Sequence, residues 1–245
     1  VAGSPGDLRA PVVLAEAIGR SGLAVARSLS RRGIPFIAVG HEPKGIVASS
    51  RHTRRYVEAP SPEDDPGAFL DVVLDACVKH DARLVMPIVD ASLAVCSEHR
   101  ALLPTLAAPG AESVRNVLDK RLNLATASRL GVRCPAGLAL ERVDQIPDLT
   151  ERIGYPMVLK NPGWGPDGSR PAHAFKWQIA RDERELRTLL AEHSGNGPFP
   201  LFQELVEGVV TNLCCFVAAG RIVAAQQYRS VRRLAWAGTA VLREI

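Results

Sequence analysis

The first apolar run, Pro11 to Ala15, is short and rich in Val, which predicts a buried strand. From Gly22 to Arg32 the spacing turns helical, with Leu23, Ala26 and Leu29 on one face. Gly33-Ile-Pro stops that helix, and Phe36 to Val39 predicts the next strand. Residues 40–66 read as a long connection carrying His41-Glu-Pro-Lys-Gly45 and Ser61-Pro-Glu-Asp-Asp-Pro66. Phe69 to Lys79 is helical, with apolar residues at 69, 70, 73, 74, 77 and 78. A third strand, Arg83 to Val89, and a helix over Leu93–Leu103 complete the series. Strands of nearly continuous apolar character alternating with helices predict a parallel sheet covered on both faces.

Pro104 to Gly110 reads as a boundary, and the texture changes beyond it. Helices are predicted over Ala111–Leu118 and Asp119–Leu130, the second ended by Gly131. Strands follow at Ala136–Leu140 and Pro156–Lys160, with a short helix over Asp144–Ile153 between them. Asn161 to Pro171 is a loop rich in Gly and Pro, Ala174–Ala180 a strand and Asp182–Glu192 a helix. Leu201–Val206, Asn212–Ala219 and Ile222–Tyr228 read as strands, the last two joined at the hairpin signal Ala219-Gly220. The expectation is α/β: a Rossmann-like parallel-sheet part over 1–118, then an incomplete α+β part with an antiparallel sheet over 119–245.

Composition narrows the function classes. Hydrophobic residues at 47% and charged residues at 23% exclude a disordered chain. The longest apolar run, Leu213 to Ala219, is far below the ~20 residues that span a bilayer, so no membrane partner is expected. The five cysteines show no CxxC or His/Cys clustering, which argues against a disulfide scaffold and a structural zinc site. Glu16 interrupts the one early apolar stretch, so no signal peptide is expected and a cytoplasmic setting is the default. Residues 1–118 are neutral, and the net charge of +4 falls in 119–245, chiefly as Arg221, Arg229, Arg232, Arg233 and Arg243. A confined cationic patch suits a polyphosphate ligand better than a nucleic-acid track, and no nucleic-acid partner is expected. The competing reading is a solvated surface in a chain where all but five of the basic residues are Arg.

Three segments carry candidate chemistry. Ala17-Ile-Gly19-Arg-Ser-Gly22 after the first strand is a dinucleotide-like turn without its first glycine, and Glu42 lies about where a ribose-binding acid would. Small residues packing a tight turn explain it equally well, as does a substrate carboxylate held at a helix start. Next, Gly154-Tyr-Pro-Met-Val-Leu-Lys160 runs into Asn161-Pro-Gly163-Trp-Gly165-Pro-Asp-Gly168-Ser169. An ammonium ending an apolar strand, followed by a glycine loop with bare N–H groups, suits phosphate; a solvated Lys before a hairpin loop is the alternative. Third, in Phe202-Gln203-Glu204-Leu-Val206-Glu-Gly208, backbone groups could pair with an adenine edge, although Glu at a strand end is usually just exposed.

Asp119-Lys120, Gly154 to Lys160, the glycine loop and Gln203-Glu204-Leu-Val-Glu-Gly208, in that order, resemble an ATP-grasp ligase. Gly19-Arg-Ser-Gly22, Ser49-Ser-Arg-His52 and Met86-Pro-Ile-Val-Asp90 are similar in style to carboligases like the carbamoyl-phosphate synthetase large chain. The resemblance implies that Lys120 and Lys160 contact ATP phosphates and that Gly163, Gly165, Gly168 and Ser169 belong to a lid over them. It implies that Gln203, Glu204 and the backbone at Val206 hold adenine, and that Arg229, Arg232 or Arg233 supplies a γ-phosphate cation. The reaction implied joins a small carboxylate to an amine through an acyl-phosphate. Thr211 stands where the family has a ribose-binding acid, and the acid pair and Asn that hold Mg²⁺ are expected beyond Ile245, leaving the metal ligands unknown. The chain therefore reads as a piece of a longer enzyme or as a naturally shortened protein. An NAD(P)-binding oxidoreductase built on residues 12–42 and a non-catalytic nucleotide-binding protein are the rival readings. Asp90 is a candidate substrate contact, and Trp164 would pack on a nucleotide or anchor the loop. His52, His80, His99 and His193 read as exposed, and Cys214 and Cys215 as strand packing. Oligomeric state stays open, a homodimer among the options.

Overall fold

The computed structural model describes residues 10–140, 142–161, 163, 177–193, 200–233 and 240–244. Five parallel strands come first: β1 (Val12–Ala15), β2 (Phe36–Gly40), β3 (Tyr56–Glu58), β4 (Leu84–Pro87) and β5 (Thr105–Leu106). They lie in the order β3-β2-β1-β4-β5, the doubly wound order in which the strand sequence reverses between β1 and β4. Helices α1 (Gly19–Arg31), α2 (Pro66–Lys79) and α3 (Asp90–Glu98) connect them.

Alternation along the strands explains why both faces are buried. Val13, Ile37, Val39 and Val85 pack with Phe69, Val73 and Cys77 of α2. Val12, Leu14 and Ala38 face the other way and pack with Ala26 of α1. Local signals start the helices: Asp65 accepts from the Ala68 amide at 2.9 Å and Pro66 takes the first position of α2, so this helix begins three residues before the apolar periodicity does.

Helices α4 (Ala111–Leu118) and α5 (Lys120–Arg129) follow. A four-stranded antiparallel sheet is then built from β6 (Gly137–Ala139), β7 (Met157–Lys160), β8 (Trp177–Ala180) and β9 (Leu201–Glu204), in the order β6-β9-β7-β8. On one face Met157, Leu159 and Phe202 pack with Leu149 of α6 (Ile146–Ile153) and Leu186 and Leu190 of α7 (Glu183–His193). The last three strands, β10 (Thr211–Ala218), β11 (Arg221–Arg233) and β12 (Ala240–Glu244), form a separate antiparallel sheet. In it Leu213, Phe216, Ile222 and Val223 are each more than 60% exposed. All five cysteines are free, and burial pushes the Cys96 thiol up to about 12, so it packs rather than reacts.

The α/β architecture is therefore as the hydrophobic pattern predicts, with boundaries shifted. The connection over 40–66 contains β3, and the boundary over 104–110 contains β5. The helix expected over Leu93–Leu103 is α3 plus a 3₁₀ turn over Arg100–Leu102. Leu201–Glu204 pairs with β6 and β7, not with the strands that follow it.

Candidate functional site

The carboxyl ends of β1 and β4 lie side by side, because Ala15 is paired with Pro87. Ligands of open α/β sheets bind outside such ends, where the strand order reverses. From this edge α1 starts at Gly19, whose φ of +58° is one that glycine adopts freely. Gly22 is needed for closeness: a Cβ there would come within 3.0 Å of the Ala17 carbonyl carbon and 3.1 Å of Val47. This observation favours the packing explanation of the turn. Asp90, the first residue of α3, stands exposed at the same edge.

The second half of the chain supplies the candidate cations. Asp119 is only 3% exposed, and its carboxylate accepts from the Arg121 amide at 2.8 Å and the Leu122 amide at 3.4 Å, capping α5. The Arg121 guanidinium donates to the other oxygen of that carboxylate at 3.1 Å. Lys120 is thereby fixed at the first helical position. The backbone of Asp119 also forms an isolated antiparallel bridge with Gly163. Gly163 has φ +94°, and a Cβ there would lie 2.1 Å from the Leu118 carbonyl oxygen and 3.6 Å from Lys120 Nζ. Only glycine fits, and a side chain there would extend toward the Lys120 ammonium. Asn161 Oδ1 accepts from the Gly163 amide at 2.9 Å, shaping the turn out of β7.

Lys160 ends β7 half-buried. Burial holds its ammonium below the usual lysine range. Lys120 is lowered for the same reason first; Asp90 and Asp119 oppose the shift and the Lys160 charge adds to it. The Lys160 charge thus acts on Lys120, and Asp90 acts on it in the opposite sense, which makes the two lysines candidates for one anion site. Two partly desolvated cations set together are poised for a polyanion, whose binding would relieve their mutual repulsion.

The other sequence-derived candidates are placed as follows. Gln203 is buried opposite Val158, so it shares the Lys160 face of the sheet. Glu204 lies opposite Met157 and alternates onto the face of Phe202. Val206 is exposed beyond β9, and Thr211 opens β10 opposite Arg229. The Arg229 Nε donates to Glu244 Oε2 at 3.0 Å, so its charge is answered within its own sheet. Arg232 is exposed on β11, and Arg233 is its last residue. Gly165, Gly168, Ser169 and Trp164 lie outside the described residues. A cavity of about 610 Å³ opens between α5 and β6, lined by Arg121, Leu124, Cys134, Ala136, Leu138 and Leu201.

Sequence reasoning missed one pair at this edge. Glu16, directly after β1, has φ +58° and is 1% exposed; its Oε1 is hydrogen-bonded to His41 Nδ1 and its Oε2 has no partner among the described residues. Burial pushes its carboxyl above the usual range, and His41 opposes the shift. The available signal was positional: an acid and a histidine each directly follow a buried strand.

Magnesium requires oxygen ligands, usually carboxylates. Among the described residues no group of three or more His, Cys, Asp or Glu could hold a metal ion.

No family model matches the sequence, and no curated protein matches it. Solved structures do match. A carboxyaminoimidazole ribonucleotide synthase from Aspergillus clavatus, complexed with ATP, aligns with 92% of this chain and 55% of its own at TM-score 0.72 and 11% identity. The biotin carboxylase domain of the Hydrogenobacter thermophilus 2-oxoglutarate carboxylase, in complex with MgADP, ADP and bicarbonate, aligns with 91% of this chain and 51% of its own at TM-score 0.68 and 19% identity. An L-amino acid ligase from Bacillus licheniformis aligns at TM-score 0.67 and 15% identity, over 91% of this chain and 50% of its own. The fold is that of the ATP-grasp ligases. This chain spans about half the length of the ATP-grasp structures it matches.

Proposed function

We propose that the chain binds ATP and forms the nucleotide-binding part of a ligase that joins a carboxylate to an amine or similar nucleophile. The observation that supports this reading is the approach of Gly163 to the Lys120 ammonium, together with the influence of the Lys160 and Asp90 charges on that same ammonium. Residues 1–118 would then present the substrate-side edge and residues 119–245 the nucleotide side.

In the proposed reaction a carboxylate oxygen attacks the γ-phosphorus of ATP, and the bond to the β,γ-bridging oxygen breaks to release ADP. The amine then attacks the acyl carbon and inorganic phosphate leaves. The chain's own residues act by position and charge. Lys120 and Lys160 neutralise phosphate oxygens, and Gly163 lets the chain close on Lys120 without a side chain between them. Gln203 shares the face of Lys160, and the backbone from Glu204 at the end of β9 to Val206 beyond it would pair with the base, the Glu204 side chain being on the other face. Arg229, Arg232 and Arg233 are candidates for the γ-phosphate cation, Arg229 only after releasing Glu244.

Calorimetric titration with ATP, ADP and NADH tests the reading. ATP is expected to bind more tightly than NADH, and the reverse order would favour an oxidoreductase. Lys160→Ala should weaken ATP binding about tenfold or more, the cost of one charge-assisted contact; unchanged affinity would count against the site. A second reading, nucleotide binding without catalysis, is favoured by the engagement of Arg229, a candidate γ-phosphate cation, with Glu244. Release of ADP in the presence of candidate acids and amines separates the two.

A further inference from the structure

The opposite edge of the parallel sheet carries a second cationic site. Ser30, His52, Arg54, Arg55 and His80 line a cavity of about 440 Å³ there. Ser30 lies in the last turn of α1, His80 follows α2, and His52, Arg54 and Arg55 precede β3, all at the amino ends of the sheet: the Pro35 carbonyl accepts from the Val12 amide and the Arg55 carbonyl from the Ala38 amide, both at 3.0 Å. A strand of this length at ~3.3 Å per residue separates this edge from the lysine cleft by about 15 Å.

The polar wall is built from cations and imidazoles, with no carboxylate among its lining residues. Arg55 Nη1 lies 2.6 Å from His80 Nδ1; a guanidinium only donates, so His80 accepts there as neutral imidazole. His52 Nδ1 is 3.1 Å from Ser30 Oγ. Desolvation and then the charges of Arg51, Arg27 and Arg31 hold His52 below its usual range, which marks three further guanidiniums nearby. Arg83, whose amide donates to the Pro11 carbonyl at 3.1 Å, adds a buried Nε with no partner at this edge. Among the described residues Arg27, Arg31, Arg51, Arg54 and Arg55 make no ion pair with a carboxylate. The remaining wall is apolar, from Ile34, Pro35 and Phe36.

We propose that this amino-edge cavity binds a phosphate monoester of a small organic molecule, the phosphate held by Arg54 and Arg55 and the organic body resting on Ile34, Pro35 and Phe36. Uncompensated arginine forks match the planar O–P–O edge of a phosphate. The volume exceeds what a bare ion needs and falls in the range of small-ligand pockets, roughly 300–1,000 Å³. This site is independent of the lysine cleft.

Phenyl phosphate is the probe, titrated calorimetrically into the full chain at about 0.15 M salt to suppress loose ion pairing. Binding is expected to be tighter than for inorganic phosphate or phenol alone. The Arg54→Ala, Arg55→Ala double variant should weaken it about tenfold or more, with Lys160→Ala leaving it unchanged. Both arginines are exposed, so the double variant should keep the parent's melting temperature; Arg54→Glu alone is the second variant should it not fold. No binding by the parent chain overturns the proposal, as does binding that survives Arg54→Glu or is lost in Lys160→Ala. Phenyl phosphate binding no tighter than inorganic phosphate overturns the monoester assignment. Tighter binding of a single-stranded oligonucleotide, lost in the same arginine variants, overturns it in favour of a nucleic-acid surface.

Discussion

At the scale of single residues, Gly163 and Lys120 set the sharpest constraints. The Gly163 α-hydrogen occupies space that a methyl group would contest with the Leu118 carbonyl oxygen, and its φ of +94° is one that L side chains rarely adopt. Gly163→Ala should therefore open the bridge to Asp119, costing about 1–3 kcal/mol in chemical denaturation and lowering ATP affinity with it. For Lys120 the lowered pKa gives two pH effects of opposite sign. Between its folded-state value and the ordinary lysine value the unfolded chain binds more protons, so the free protein gains stability as pH rises through that window. Phosphate binding needs the ammonium, so ATP affinity falls over the same window, earlier than an ordinary lysine would dictate. Lys120→Arg keeps the charge and should move the fall in affinity to higher pH; titrations on both proteins from neutral to alkaline pH check it.

At the scale of elements, α5 is the part on which the cleft depends. Its start rests on one buried carboxylate that caps two amides and pairs with Arg121. Asp119→Ala removes the cap and leaves the guanidinium without its partner. A loss of about 1–2 kcal/mol is expected, typical of a helix cap, read as a lower melting temperature and accompanied by weaker ATP binding. Asp119→Asn, which still caps, should recover much of the stability. The elements also explain what the sequence could disclose. Strands β1, β2, β4 and β7 are continuous apolar runs and are legible as such. Strand β3 begins at Tyr56 after a polar stretch and β5 has two residues, so neither has a period to detect; both form because a parallel neighbour offers hydrogen bonds. Lys160 stood out because a rare ammonium ends an apolar strand. Glu16 and His41 did not, since their pairing comes from adjacent strand ends that no local pattern records.

At the scale of the molecule, the last sheet differs from the other two. The parallel sheet and the sheet of β6 to β9 each bury an apolar face under helices, whereas Leu213, Phe216, Val217, Ile222 and Val223 on β10 and β11 are all more than half exposed. Exposed apolar patches of this kind mark contact surfaces or association hazards. Residues 1–245 produced alone should bind a hydrophobic dye and self-associate with rising concentration in light scattering. Phe216→Glu should reduce both without changing ATP affinity, because Phe216 is exposed on a sheet that shares no strand with the one carrying Lys160.

The Asp119–Gly163 clasp has a topological meaning as well. It turns the intervening stretch into a ring that leaves and returns to one point, carrying α5, β6, α6 and β7 within its circumference. The ring is held at more than its two ends, since β6 and β7 inside it pair with β9 outside and Leu149 of α6 packs on Phe202. A change of length is therefore tolerated best in the stretches between these anchored elements.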